Sequence, residues 1–242
     1  MYKKTSTLSW PLIWVSSAIV LIGIVNLYSA IYFWGEGVSM ALFWSQLAWT
    51  LIGIATVIFI AMMDYRFFYR FAFLFFGVAC AMLLLSLFTG DAVRGTHGWI
   101  KIGSFSIQPA EFAKIAYILV AARFFANNPN PEGYNLRELW QPGLMMSLVV
   151  ALIVLQGDMG SSIFILCIFV SMALFAKVKT KTLVICVLIA ALAGWAVFNF
   201  GLKEYQRDRI FTFMNPEADL RGSGYHLMQS KIAVGSGQIF GK

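Results

Sequence analysis

The chain has little charge, and this scarcity excludes a soluble globular protein. Of its 242 residues only 12% are charged, whereas 60% are hydrophobic and the mean hydropathy is +0.77. A soluble domain carries about 25% charged residues, because its surface must face water. The apolar residues occur in runs of roughly 20, long enough to cross the hydrocarbon layer of a bilayer. We therefore expect an all-α, polytopic membrane protein.

Cysteine is scarce as well. Cys80, Cys167 and Cys186 lie inside apolar runs without a CxxC motif or a nearby histidine, which indicates neither a disulfide framework nor a zinc site. They are expected to act as small hydrophobic side chains. The net charge of +7 lies largely between the apolar runs, where it fixes orientation in the membrane and does not indicate a nucleic-acid partner.

The apolar runs predict about seven transmembrane helices within a single membrane domain, residues 1–242. The first run is too long for a cleaved signal peptide and is expected to remain as a helix. The predicted spans are 11–34, 40–63, 67–90, 109–126, 143–157, 159–176 and 180–201.

Basic residues between the spans predict the orientation. One face receives four groups: Lys3 and Lys4, Arg66 and Arg70, Arg123 and Arg137, and the lysines at 177, 179 and 181. This face, with the N-terminus, is expected to be cytoplasmic. Segments 91–106 and 202–242 then lie outside, the second as a large extracytoplasmic loop with an interfacial helix. Because the chain ends within that loop, we expect a C-terminally truncated chain.

The segment from Gln108 to Lys114 has the pattern of a helix start. Pro109 suits the first helical position, Glu111 falls in the first turn, and Lys114 lies three residues further on the same face. The two charged residues either form a self-neutralising pair at a helix start or line a cavity that opens outward. Because ionisable side chains are costly inside a membrane, residues of this kind are candidates for a functional site.

Two aspartates are further candidates. Asp158 is expected to cap the helix that follows it, to line the same opening, or to do both. Asp219 lies between the turn signals Asn215-Pro216 and Gly222-Ser223-Gly224. Chemistry alone favours a turn residue for such an isolated loop aspartate.

Three separated blocks nevertheless resemble the shape, elongation, division and sporulation (SEDS) family, which includes RodA, FtsW and SpoVE. The blocks cover residues 99–114, 156–160 and 215–237, and their amino-acid sequence is most similar to that of the RodA branch. One departure is Gly98, where the family usually has a basic residue. The family has about ten membrane helices, about three more than this chain.

The resemblance implies a peptidoglycan glycosyltransferase that polymerises lipid II into glycan strands outside the cytoplasmic membrane of a bacterium, during elongation or division. It also implies a class B penicillin-binding protein as partner. Asp219 matches the family's essential extracellular acid, and we assign it as the catalytic general base. The expected substrate-binding residues lie in the three blocks and beside them: Trp99, Lys101, Gln108, Glu111, Lys114, Asp158, Arg209, Arg221, His226, Gln229, Ser230 and Lys231.

The diphosphate leaving group requires cations. Arg209, Arg221, Lys231 and Lys114 are candidates, with or without a divalent cation such as Mg²⁺ or Mn²⁺. The main alternative is a lipid II flippase, which would use Glu111, Lys114 and Asp158 but would have little use for Asp219. A scaffold that needs none of these residues is the third possibility.

Overall fold

The computed structural model describes residues 9–33, 40–89, 98–102, 105–201, 207, 211–212 and 223–237. Each predicted span corresponds to a helix. The helix ends lie within three residues of the predicted ones, except that the seventh α-helix ends at Ala196, five residues before the predicted end. The helices in chain order are α1 (Trp10–Phe33), α2 (Ala41–Met62), α3 (Tyr65–Thr89), α4 (Pro109–Asn127), α5 (Trp140–Leu155), α6 (Met159–Phe175), α7 (Thr180–Ala196) and α8 (Ser223–Gly237). A π-helical turn, Val197–Gly201, continues α7.

Helices α1, α2 and α3 are each long and apolar enough to cross a membrane. Helices α5, α6 and α7 are apolar but have only 16, 17 and 17 residues, which corresponds to roughly 25 Å at about 1.5 Å per residue. Helix α4 has 19 residues but contains Glu111, Lys114 and Arg123. The all-α membrane fold is confirmed, whereas the number of seven spans stays a prediction.

The chain forms two compact units, residues 1–71 and 72–242. In the first unit α1 packs against α2, and the rings of Tyr28 and Phe43 meet edge to face with centroids 5.6 Å apart. The second unit contains most of α3 and all later elements. The single membrane domain stays a prediction.

The core of the second unit is built from α3, α4, α5 and α6. Helix α4 presents small residues to its neighbours at helical spacing, because Ala110, Ala113, Ala116 and Ala121 are all at most 3% exposed. Small residues allow helix backbones to approach closely, which is how helices associate in membranes. The buried Tyr117 hydroxyl donates to the Pro142 carbonyl of α5 at 3.3 Å.

A β-hairpin precedes α4, in a segment that we expected to be a loop. Strands β1 (Ile100–Ile102) and β2 (Phe105–Ile107) pair antiparallel, with Ile100 opposite Ile107 and Lys101 opposite Ser106. The sequence contains a signal for it, because β-branched and aromatic residues alternate with polar ones around a Gly-Ser pair. Only Gln108 separates the end of the hairpin from Pro109, so the hairpin leads directly into the start of α4.

Candidate functional site

Polar side chains gather where α4 and α6 begin. We call Gln108, Glu111, Lys114, Gln156 and Asp158 the polar cluster. Helices α4 and α6 pack against each other, and a hydrogen bond between side chains links the residues that directly precede them. The first two sequence blocks, which lie about 50 residues apart, therefore meet in one place.

Gln108 lies just before α4 in an extended conformation, and Pro109 follows at the first helical position, as predicted. The Gln108 backbone carbonyl accepts a hydrogen bond from the N–H of Glu111 at 3.1 Å. Its side chain is directed elsewhere: Nε2 donates to Oδ2 of Asp158 at 2.9 Å. Gln108 thus joins the start of α4 to the start of α6.

Glu111 and Lys114 form the predicted ion pair, with Nζ 2.7 Å from Oε1. The Lys114 side chain is 20% exposed and that of Glu111 is 57% exposed. The Lys114 ammonium also lies 5.2 Å from the ring centroid of Phe164 on α6, at cation–π distance. The lysine is therefore held between a carboxylate and an aromatic ring, and more than half of the glutamate surface stays accessible.

Asp158 caps α6, as predicted. Oδ1 accepts from the backbone N–H of Ser161 at 3.0 Å, and Oδ2 accepts from the Ser161 hydroxyl at 2.7 Å as well as from Gln108. A carboxylate at this position satisfies a free N–H group of the first turn and meets the positive end of the helix dipole. Asp158 thus caps α6 and also belongs to the polar cluster.

Gln156 is a member of the cluster that our residue assignment missed. Its side chain is buried, and Nε2 donates to the Leu83 carbonyl and to the Ser86 hydroxyl of α3, both at 2.9 Å. Gly157 follows with φ +83°, a conformation that favours glycine. Gln156 therefore fastens the turn that carries Asp158 to α3. The second block contained Gln156, but its contacts depend on helix packing that the sequence alone did not reveal.

Gly98, which directly precedes the first block, lies next to Gln156. An ideal Cβ at the buried Gly98 would lie 3.5 Å from Oε1 of Gln156, which is an ordinary contact. Trp99 is partly buried and Lys101 is exposed on β1. The position at which this chain departs from the family pattern thus lies against the cluster.

The third block is separate from the cluster in the part of the chain that the structure describes. The predicted helix is present as α8, and Gln229, Ser230 and Lys231 are exposed on it. Nothing among the described residues pairs Gln229 or Lys231 with the polar cluster. The expected catalytic residue Asp219 lies outside the described residues, as do Arg209, Arg221 and the side chain of His226.

A metal site is not formed by the described residues, among which no three His, Cys, Asp or Glu side chains come together. Glu111 is paired with Lys114, and Asp158 accepts hydrogen bonds from Gln108 and Ser161. The divalent cation stays a prediction.

Comparison with protein families decides the identity of the chain. The model for FtsW, RodA and SpoVE, described as a cell cycle protein, matches residues 9–242. The chain belongs to this family. The match includes all three blocks and confirms the resemblance that they indicate.

Curated members of the FtsW/RodA/SpoVE family are similar to the chain over most of its length. The probable peptidoglycan glycosyltransferase FtsW of Mycobacterium tuberculosis is 32% identical over 85% of this chain and 39% of its own length. The peptidoglycan glycosyltransferase MrdB of Escherichia coli K12 is 27% identical over 99% of this chain, which spans 64% of that relative. The peptidoglycan glycosyltransferase RodA of Treponema pallidum is 27% identical over 99% of this chain and 71% of its own length. The RodA-branch assignment stays a prediction.

Solved members of the FtsW/RodA/SpoVE family share the fold. One chain of a peptidoglycan synthase complex, described as coordinating polymerisation and crosslinking, matches 97% of this chain and 67% of its own length, with a TM-score of 0.78 and 29% identity. The rod shape determining protein RodA of Thermus thermophilus matches 78% of this chain and 60% of its own length, with a TM-score of 0.64 and 24% identity. The helical membrane fold is therefore that of known family members.

Proposed function

We propose that the protein is a peptidoglycan glycosyltransferase that polymerises lipid II into glycan strands on the outer face of the bacterial cytoplasmic membrane. Family membership and the activities named for the relatives support this function. The structural observation that carries it is the polar cluster, which joins the beginnings of two helices in an otherwise apolar bundle. The proposal extends to the N-terminus in the cytoplasm, so that the cluster faces outward.

The cluster suits a lipid-linked diphosphate substrate. Such a molecule keeps its polyprenyl chain among apolar helices and its diphosphate and sugars at the water boundary. Helix N-termini present free N–H groups and the positive end of the helix dipole to anions. The starts of α4 and α6 are linked here by Gln108 and Asp158, and Lys114 adds an ammonium group that is paired with the accessible Glu111.

The reaction forms one glycosidic bond and breaks one bond to phosphate. The 4-hydroxyl of the acceptor sugar attacks the anomeric carbon of the donor, the diphosphate leaves with the electron pair of the broken C–O bond, and the hydroxyl proton passes to a base. We assign Asp219 as that base, which typically contributes about 10²–10⁴-fold in rate. Lys114, Arg209, Arg221 and Lys231 are the cations proposed to offset the charge that develops on the leaving group. The remaining matched residues, Trp99, Lys101, His226, Gln229 and Ser230, are proposed to position the substrate.

The proposed partner is a class B penicillin-binding protein, which would crosslink the strands as they form. The solved peptidoglycan synthase complex supports this proposal, because it is described as coordinating polymerisation with crosslinking. A divalent cation, Mg²⁺ or Mn²⁺, is proposed as an additional counter-charge.

The test is Asp219→Asn in the purified full-length protein, with and without the partner. The amide keeps the shape of the side chain but cannot serve as a general base. We expect normal expression and retained lipid II binding, with strand formation on a gel reduced by about 10²-fold or more. Asp208→Asn, in the same segment, is the matched control and should polymerise normally. Polymerisation by Asp219→Asn at the wild-type rate would reject the assignment and favour the flippase.

A further inference from the structure

We infer that the end of α6 and the turn that follows it form a binding site for one anionic phospholipid, which is distinct from the polar cluster. The site has two parts. The basic turn consists of Lys177, Lys179 and Lys181, and the α6 recess is lined by Ser171, Leu174 and Phe175. The inference concerns a lipid that stays bound, so it does not depend on the polymerase proposal.

The basic turn is held in a fixed shape by hydrogen bonds at the end of α6. The N–H of Val178 donates to the Ala173 carbonyl at 3.1 Å, and the N–H of Lys177 donates to the Leu174 carbonyl at 3.2 Å. With φ +60° at Lys177, these bonds form a Schellman motif. Lys177 thus occupies a position where glycine is usual, and the two hydrogen bonds fix the conformation of its backbone.

The loop between α4 and α5 braces the basic turn from the other side. The N–H of Lys179 donates to the Tyr134 carbonyl at 3.2 Å. Gly133 has φ +88°, and an ideal Cβ there would lie only 2.4 Å from the Lys177 carbonyl oxygen. Tyr134 is itself buried, and its ring meets that of Phe125 on α4 edge to face at 5.2 Å. The turn therefore presents its lysines from a packed base.

The three ammonium groups are available to an external anion. Lys177, Lys179 and Lys181 are exposed, and none of them forms an ion pair with the residues that the structure describes. The basic turn and the loop that braces it, residues 128–139, together have a net charge of +2. Their charged residues are the basic Arg137, Lys177, Lys179 and Lys181 and the acidic Glu132 and Glu138. One of the two acids, Glu138, accepts hydrogen bonds from Asn130 at 3.2 Å and from the N–H of Asn135 at 2.6 Å.

The α6 recess supplies a place for an acyl chain beside these charges. Its volume is about 280 Å³, and its lining residues occupy positions i, i+3 and i+4 on one face of α6. Leu174 and Phe175 are 56% and 91% exposed, and Phe175 lies only two residues before Lys177. Apolar contact and positive charge therefore adjoin at one end of one helix. This arrangement matches a phosphodiester headgroup with its acyl chain, and an anionic phospholipid of the membrane is a ligand of that kind.

Native mass spectrometry of the full-length protein in detergent tests the inference. The added lipids are phosphatidylglycerol and phosphatidylcholine with identical acyl chains. We expect one phosphatidylglycerol to be retained at least tenfold more strongly than phosphatidylcholine, since a basic residue near a membrane surface contributes roughly fivefold. Equal retention of the two lipids by the wild-type protein would overturn the site.

Two variants, each with a matched control variant, test the two parts of the site separately. The triple change K177Q/K179Q/K181Q should abolish the preference, whereas K3Q/K4Q/R66Q removes the same charge elsewhere and should keep it. Ser171→Trp fills the recess without changing charge and should also abolish retention, whereas Ile163→Trp at another exposed position of α6 should not.

Inorganic phosphate serves as the competing headgroup probe. If Ser171→Trp retains phosphatidylglycerol and millimolar phosphate displaces it, the site recognises a free anion and the lipid inference is wrong. If the triple lysine variant still prefers phosphatidylglycerol to phosphatidylcholine as the wild type does, the lysines do not bind the lipid and the inference is also wrong.

Discussion

The hydrogen bond between Gln108 and Asp158 predicts energetic coupling between two positions that lie far apart in the sequence. Asp158→Ala removes a helix cap, worth about 1 kcal/mol, and the acceptor of the Gln108 bond. A hydrogen bond to a charged group contributes about 1.5–3 kcal/mol, so we expect a total loss of about 3 kcal/mol. Gln108→Ala removes the same bond but not the cap and should cost about 2 kcal/mol.

The double variant decides whether the bond exists in solution. Because the shared bond is lost only once, Q108A/D158A should cost about 3 kcal/mol instead of the additive 5 kcal/mol, a coupling of about 2 kcal/mol. The measurement is the free energy of unfolding of the purified protein in micelles, from circular dichroism during an SDS titration. Ser147→Ala, at an exposed position on α5, provides a control cycle with Asp158 that should be additive. Additivity of Gln108 and Asp158 within about 0.5 kcal/mol would refute the link between α4 and α6.

Three further predictions follow from the structure. Glu111→Ala and Lys114→Ala should each lower polymerisation by at least about tenfold. The free energy of unfolding should change little, because a partly exposed i,i+3 pair stabilises a helix by only about 0.2–0.5 kcal/mol. Full activity of the charge-swapped double variant on the strand gel would mark the pair as purely structural. Gly133→Ala should destabilise the protein by at least about 1–2 kcal/mol in the same SDS titration, since alanine is strained at positive φ and meets a carbonyl oxygen; an unchanged midpoint would contradict the brace. In a cysteine-free background, a cysteine at Ser106 should react with an impermeant thiol reagent from outside and one at Thr180 should not, and the opposite labelling would reverse the proposed orientation.

The helices could be predicted from the sequence because the physical signals for them are local. Apolar runs determine the spans, and helix-start chemistry determines particular residues: Pro109 begins α4 and Asp158 caps α6, as predicted. The Glu111–Lys114 pair could be predicted from the sequence as well, since residues three apart on a helix share a face. These features depend on neighbours within one or two turns.

The assembled site was less predictable because it depends on packing between helices. The bonds from Gln156 to α3 join residues 70 and 73 positions apart, and the position of Phe164 over Lys114 depends on how α4 meets α6. The sequence did contain a signal for the hairpin in the alternation around Gly103, but the surrounding polar residues favoured a loop. Asp219 was identified by resemblance alone and stays a prediction.

The alanine face of α4 has a consequence for the mutational tolerance of the protein. Ala110, Ala113, Ala116 and Ala121 have no reactive groups, yet each is at most 3% exposed against neighbouring helices. Adding even two methyl groups at such a position overpacks a close helix contact, which typically costs about 1–3 kcal/mol. In a deep mutational scan we therefore expect these four positions to accept only glycine, alanine or serine. Such a narrow profile would reflect a limit on side-chain size that is set by the close approach of the helices, and not a chemical role.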